Sequence, residues 1–149
     1  MSQAPQQTDH ARTGRLRVGV VTPEGAVFDG EAASVVVPGM EGEVAFFPLH
    51  AAYVGSLGCG ELRITRPGGE VERWVLEGGV AEVAADQVTV LADRVWPLAR
   101  IDVEKVRADL AKAVGSVPAD EVAATLRDEA IAVAQVKLRL AGRGAPGHA

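Results

Sequence analysis

Histidine, glutamate and cysteine are the side chains with which this chain could do chemistry, and one stretch brings a histidine close to two glutamates. His50 follows Glu41 and Glu43 within Val37-Pro38-Gly39-Met40-Glu41-Gly42-Glu43-Val44-Ala45-Phe46-Phe47-Pro48-Leu49-His50-Ala51. A histidine near carboxylates is the raw material of a general base or a metal ligand. A metal site, however, needs three or four converging ligands, and acid–base work needs a nucleophile or substrate pocket beside the base. The sequence spells out neither, so His50 reads as a loop histidine, with no catalytic and no metal-binding residue expected. Cys59 is the only cysteine, which excludes an intramolecular disulfide, suggests a cytoplasmic setting and leaves the thiol as a packing group. His10 and His148 lie in the end segments, where metal binding is not expected. No Gly-x-Gly-x-x-Gly or Gly-Lys-Ser/Thr run opens a helix, so Gly68-Gly69 and Gly78-Gly79 read as hairpin glycines rather than phosphate cradles. What the stretch does hold is two phenylalanines and two prolines. A stiff, partly apolar loop of that kind suits a surface that meets another protein.

Composition narrows the function classes. The chain has 149 residues, enough for one domain or a small domain with an appendage. It is 48% hydrophobic but only 4% aromatic, so valine and alanine must carry the burial. A net charge of −5 opposes nucleic-acid binding, which needs a basic face, and gives no support to an electrostatic membrane anchor. No run approaches the ~20 apolar residues of a membrane span, and residues 1–14 lack the apolar core of a secretion signal.

The elements that must position the loop follow from periodicity. Residues 1–14 and 142–149 lack any pattern and read as disordered tails. From Arg15 to about Trp96 the period is two: Leu16, Val18 and Val20 alternate with Arg15, Arg17 and Gly19. Turns are expected at Thr22-Pro23-Glu24-Gly25, at Asp29-Gly30, at Arg66-Pro67-Gly68-Gly69-Glu70 and at Ala85-Asp86. Eight to ten short strands at this spacing indicate a sandwich or barrel. Trp74 and Trp96 read as core or seam packing. Beyond Pro97 the code becomes helical: one helix over 101–114, a Gly115-Ser116-Val117-Pro118 interruption, and a second helix to about Ala141. The short link implies an antiparallel pair. Their apolar positions are mostly alanine and valine, so each buries little, and the pair could shift between docked and extended states. The class is therefore α+β.

The order of these pieces resembles the epsilon subunit of bacterial F-type ATP synthases, called delta in the mitochondrial enzyme. The resemblance rests on Val20-Val21-Thr22-Pro23-Glu24-Gly25-Ala26-Val27-Phe28-Asp29-Gly30, on Val37-Pro38-Gly39-Met40-Glu41-Gly42-Glu43 with Pro48-Leu49-His50-Ala51, and on Gly60-Glu61-Leu62-Arg63-Ile64. It extends through Gly78-Gly79-Val80-Ala81-Glu82-Val83 and Val88-Thr89-Val90-Leu91-Ala92-Asp93 to the two-helix tail. It implies a ten-stranded antiparallel β-sandwich over 15–97 and a regulatory helical hairpin over 98–141. It also implies a non-catalytic central-stalk subunit of a proton-translocating synthase, peripheral on the cytoplasmic face of the plasma membrane. Such a subunit binds gamma, sits on the membrane c-ring through Glu41, Glu43 and His50, and couples ring rotation to the alpha and beta subunits. Leu49 stands where the family usually has glycine, and Ala52 where many relatives have proline.

In many members the hairpin inhibits ATP hydrolysis, a role that carries over to Arg127, Lys137 and Arg139. Some bind ATP as a regulatory ligand through an Ile/Leu-Asp-x-x-Arg-Ala signature, which here reads Ile101-Asp102-Val103-Glu104-Lys105-Val106, with Lys105 for arginine and Val106 for alanine. Lysine lacks the planar fork of arginine. Otherwise Asp102 is a helix cap. The rival readings are a β-sandwich adaptor or ligand-binding module unrelated to a rotor, and a small hydrolase using Glu43 and His50.

Overall fold

The computed structural model describes residues 14–143, so the tails expected at 1–14 and 142–149 lie, apart from Gly14, Gly142 and Arg143, outside the described residues. Two compact units result, one ending at Val95 and the other beginning at Trp96.

Seven strands form one sheet, all in the first unit except the last two residues of β7: β1 (Leu16–Thr22), β2 (Gly25–Ala32), β3 (Ser34–Gly39), β4 (Gly42–Phe46), β5 (Tyr53–Thr65), β6 (Val71–Ala84) and β7 (Gln87–Pro97). Their order is β2-β1-β7-β6-β5-β3-β4. The expected count of ten is thus corrected to seven, and the sheet is not wholly antiparallel, because β1 runs parallel to β7. The difference lies in length. β5 and β6 run for 13 and 14 residues through glycines that read as breaks in the sequence. Gly78 and Gly79 do not close a hairpin. They lie inside β6 at φ of +67° and +135°, where the β5–β6 register passes from Leu57↔Gly79 to Cys59↔Glu77. Positive φ in mid-strand bends the chain without ending it.

The hairpin expected at Asp29-Gly30 is also absent. β2 continues through both residues, which pair with Gly19 and Val18, and the Asp29 carboxylate accepts a hydrogen bond from Arg17 at 2.6 Å. The turns at 22–25, 66–70 and 85–86 do form. Inward positions build the core as the alternation requires. Leu16, Val18 and Val20 are buried, joined by Phe46, Leu62, Ile64, Leu76, Val83, Val88 and Val90, with Trp74 packed against them.

The second unit holds a short 3-10 turn (Leu98–Arg100), α1 (Val103–Gly115) and α2 (Glu121–Arg143). Asp102 caps α1, its carboxylate accepting the Lys105 N–H at 3.1 Å. Asp120 does the same for α2, accepting from Ala123 at 2.7 Å. Each cap satisfies a backbone donor that a helix start leaves open. Leu98, Val106, Ala134 and Leu140 are buried, whereas Val114, Val117, Val122 and Leu126 stand exposed.

Candidate functional site

The acidic stretch folds as a tight β3–β4 hairpin. Gly39 pairs with Gly42, which leaves Met40 and Glu41 at the tip. Gly42 takes a φ of +134° that side chains rarely adopt. Behind the tip, Pro38 is buried in a strand with neighbours on both sides, where a missing N–H interrupts the ladder. The β3–β5 register shifts between Val36 and Gly39 to absorb it. Opposite lies Gly60, where an added Cβ would stand 2.6 Å from the Cβ of Pro38.

Glu41 and Glu43 therefore have different fates. Glu41 is exposed at the tip, beside a shallow hollow of about 320 Å³ that Met40, Glu43, Tyr53 and Ser56 also line. Glu43 is drawn back to Arg63, which reaches it at 3.2 Å and also donates to the buried Glu61 at 3.1 Å. Arg73 lies 3.8 Å from the same Glu61 oxygen. Burial works against the charge of Arg63, yet Glu61 and then Glu43 outweigh it and hold its pKa above the ordinary arginine value.

His50 closes the next turn. Its N–H donates to the Phe47 carbonyl at 3.1 Å, with Pro48 and Leu49 between them. Leu49 has a φ of +67°, so the turn carries proline second and a left-handed residue third, the type II pattern that favours glycine there. The Leu49 N–H donates to Oδ1 of Asp86 at 2.6 Å. His50 meets Phe46 edge-on, with ring centroids 5.2 Å apart, and its Nδ1 lies 2.7 Å from the Ala51 carbonyl oxygen. Among the described residues, no hydrogen bond joins His50 to Glu41 or Glu43, and no group of three metal-ligating side chains exists.

What the loops offer is surface. Met40, Phe47, Leu49 and Val54 are all exposed, Leu49 by 79%. Large apolar side chains left exposed are the composition of a protein contact. Asp86, Glu61 and Arg63 escaped the sequence reading as supports of these loops. The only hint was the turn at Ala85-Asp86, since a contact 37 residues away leaves no local pattern.

In the second unit, Ile101 follows the 3-10 turn, and its N–H reaches the Leu98 carbonyl at 3.3 Å. The Asp102 carboxylate is engaged as the α1 cap, and the Lys105 side chain is exposed. Arg127 is partly committed inside the unit, donating to the Ser116 carbonyl at 3.2 Å. The Lys137 ammonium lies 3.7 Å above the centre of the Trp96 ring. Arg139 is exposed.

Comparison with known proteins adds a second line. The family profile described as ATP synthase, Delta/Epsilon chain, beta-sandwich domain matches residues 15–97. The chain is 42% identical over 93 residues to the ATP synthase epsilon chain of Alkalihalophilus pseudofirmus, covering 62% of this chain and 69% of that one. It is 38% identical over 135 residues to the epsilon chain of Dehalococcoides mccartyi, covering 85% and 92%. Among solved structures, it is similar in fold to a chain of the Euglena gracilis mitochondrial ATP synthase OSCP/F1/c-ring assembly. That match has a TM-score of 0.74 at 23% identity and covers 82% of this chain and 78% of that one. A chain of the Tetrahymena thermophila ATP synthase central stalk/c-ring matches with a TM-score of 0.62 at 16% identity, covering 85% and 96%. An adaptor module unrelated to the rotor is not favoured by these likenesses.

Proposed function

This chain belongs to the delta/epsilon family of ATP synthase, a non-catalytic subunit of that enzyme complex, and we propose that it serves as a central-stalk rotor component of a proton-translocating synthase. The observation that carries the proposal is the 38% identity to a named epsilon chain over 135 residues, which spans 92% of that relative. The similar structures, chains of an F1/c-ring assembly and of a central stalk with its ring, support the same reading.

In this role the sandwich grips gamma and rests on the membrane c-ring through Glu41, Glu43 and His50. A coupling element must be stiff, because slack would dissipate torque. Several features at the loops supply stiffness: the Glu43–Arg63–Glu61 ion pairs, the Pro38–Gly60 contact and the Asp86–Leu49 hydrogen bond. Attachment is peripheral, on the cytoplasmic face of the plasma membrane. Among the described residues no helix is long and apolar enough to cross a bilayer.

The helical unit is an antiparallel hairpin that restrains ATP hydrolysis by meeting the alpha and beta subunits, with Arg127, Lys137 and Arg139 facing acidic segments. The exposure of Val122 and Leu126 supports this, since apolar helix positions left uncovered favour a state in which a partner covers them. A regulatory ATP would meet Ile101, Asp102 and Lys105 at the start of α1, where Lys105 supplies a point charge in place of an arginine fork. Reconstitution with gamma, alpha and beta tests the assignment. The chain should co-purify with gamma, and removing the residues after Leu98 should raise ATP hydrolysis by the complex. Failure to bind gamma sinks the rotor role, and unchanged hydrolysis sinks the restraint.

A further inference from the structure

We infer that Asp86 is a positioning residue for the loop that carries His50, and that Asp86 and Leu49 form a compensating pair in which a buried carboxylate holds a leucine in a left-handed turn. The functional half of this inference rests on the reading of that loop as the ring contact.

Leu49 is the wrong residue for its backbone. Its φ of +67° brings a Cβ close to the following carbonyl, a conformation that persists only where the surroundings over-determine it. Packing within this chain does not select a leucine either, because the side chain is 79% exposed. What fixes the turn is its N–H, held at 2.6 Å by Oδ1 of Asp86.

The anchor is itself rigid. Asp86 is only 3% exposed and sits in the β6–β7 turn at a φ of +61°. Its carbonyl accepts the Arg17 N–H at 2.8 Å, beside the parallel Arg17↔Gln87 pair of β1 and β7. The Phe47–His50 turn is thereby fastened to the β1, β7 and β6 strands at the middle of the sheet, and not only to the edge strand β4 from which it emerges. A load on the loop passes through Asp86 into the centre of the sheet. The second oxygen, Oδ2, is buried without a hydrogen bond among the described residues, so the carboxylate is committed to this one contact.

The test uses Asp86→Gly, which suits the positive φ of the turn while deleting the carboxylate, Asp86→Asn, which keeps an acceptor oxygen, and each in the Leu49→Gly background. Amide exchange over residues 47–51 is read in the full chain. Protons pumped per ATP hydrolysed are read in membrane vesicles carrying the assembled synthase. Asp86→Gly should speed exchange at Leu49 about tenfold, the worth of leaving that N–H without its acceptor, and lower the pumping ratio. Asp86→Asn should stay close to the parent in both. In the Leu49→Gly background the pumping loss should shrink, because glycine adopts the turn unaided. Unchanged exchange in Asp86→Gly, or an equal pumping loss in the parent and Leu49→Gly backgrounds, overturns the pairing. Faster exchange with unaltered pumping keeps the latch and overturns the loop as the ring contact. Should Asp86→Gly not fold in the parent, its folding in the Leu49→Gly background supports the pairing, and failure to fold in both overturns it.

Discussion

Glu43 and Arg63 meet across an intervening strand. Glu43 lies on β4 opposite Pro38, Arg63 lies on β5 opposite Val36, and β3 runs between them. The pair thus straddles the point where proline interrupts the β3 ladder, and Arg63 continues the bridge to Glu61.

The two carboxylates differ in how much they depend on Arg63. Glu61 has a side chain only 6% exposed, whereas Glu43 is 57% exposed and can turn to water. Glu43→Gln should therefore cost under about 1 kcal/mol, the range of exposed ion pairs. Arg63→Met leaves Glu61 to the more distant Arg73 and should cost about 2–3 kcal/mol, toward the range for breaking a buried pair from one side. Urea unfolding of the full chain checks the ordering. Equal losses would mean that the burial of Glu61 exacts no penalty.

Two glycines should resist replacement for different reasons. At Gly60 an added Cβ meets Pro38 at 2.6 Å, and neither partner can swing aside, so Gly60→Ala should lose about 1–3 kcal/mol. At Gly79 the Cβ would overlap the Leu91 carbonyl oxygen, and the φ of +135° is itself denied to alanine. Gly79→Ala should be the worse of the two, seen as a larger drop in unfolding temperature. Gly68 faces open space at its hairpin, and alanine there should shift the transition far less.

These contacts mark where the sequence stopped being legible. Period-two burial at Leu16, Val18 and Val20, the 22–25 and 66–70 turns and the start of α1 at Asp102 are local, and each was readable from neighbouring residues. Asp29-Gly30 carried a hairpin signal, but pairing with Val18 and Gly19 and the ion pair with Arg17 keep it extended. Tertiary context overrode the local preference. Gly78-Gly79 marks a bend instead of a turn, and nothing local distinguishes the two. For the loop itself, a turn rich in proline and glycine over 37–51 was legible, while the hold of Arg63 on Glu43 and of Asp86 on Leu49 was not. Those partners are distant in the chain and assembled only by the sheet.

The cap at the start of α1 separates a structural from a ligand role for Asp102. Asp102→Ala should cost about 1 kcal/mol, and Asp102→Asn or Asp102→Ser much less, because each keeps an oxygen for the Lys105 N–H. Circular dichroism during thermal unfolding reads this directly. Titration with ATP then reads the other role: a change in affinity for Asp102→Asn, with helix stability preserved, would assign the carboxylate to nucleotide as well.

The three basic residues of α2 should likewise sort by what they touch inside this chain. Arg127→Ala removes the bond to the Ser116 carbonyl and leaves the helix connection looser. Lys137→Ala removes a cation held 3.7 Å above Trp96, an interaction of about 0.5–1 kcal/mol at such sites. Both should lower the stability of the isolated chain. Arg139 is exposed, and its replacement should change stability by no more than about 0.5 kcal/mol. That makes Arg139→Ala the clean probe of restraint. In the reconstituted complex it should raise ATP hydrolysis while the isolated chain unfolds as before. If hydrolysis rises only with Arg127→Ala and Lys137→Ala, the helices act through their own integrity and not through a charged contact with beta.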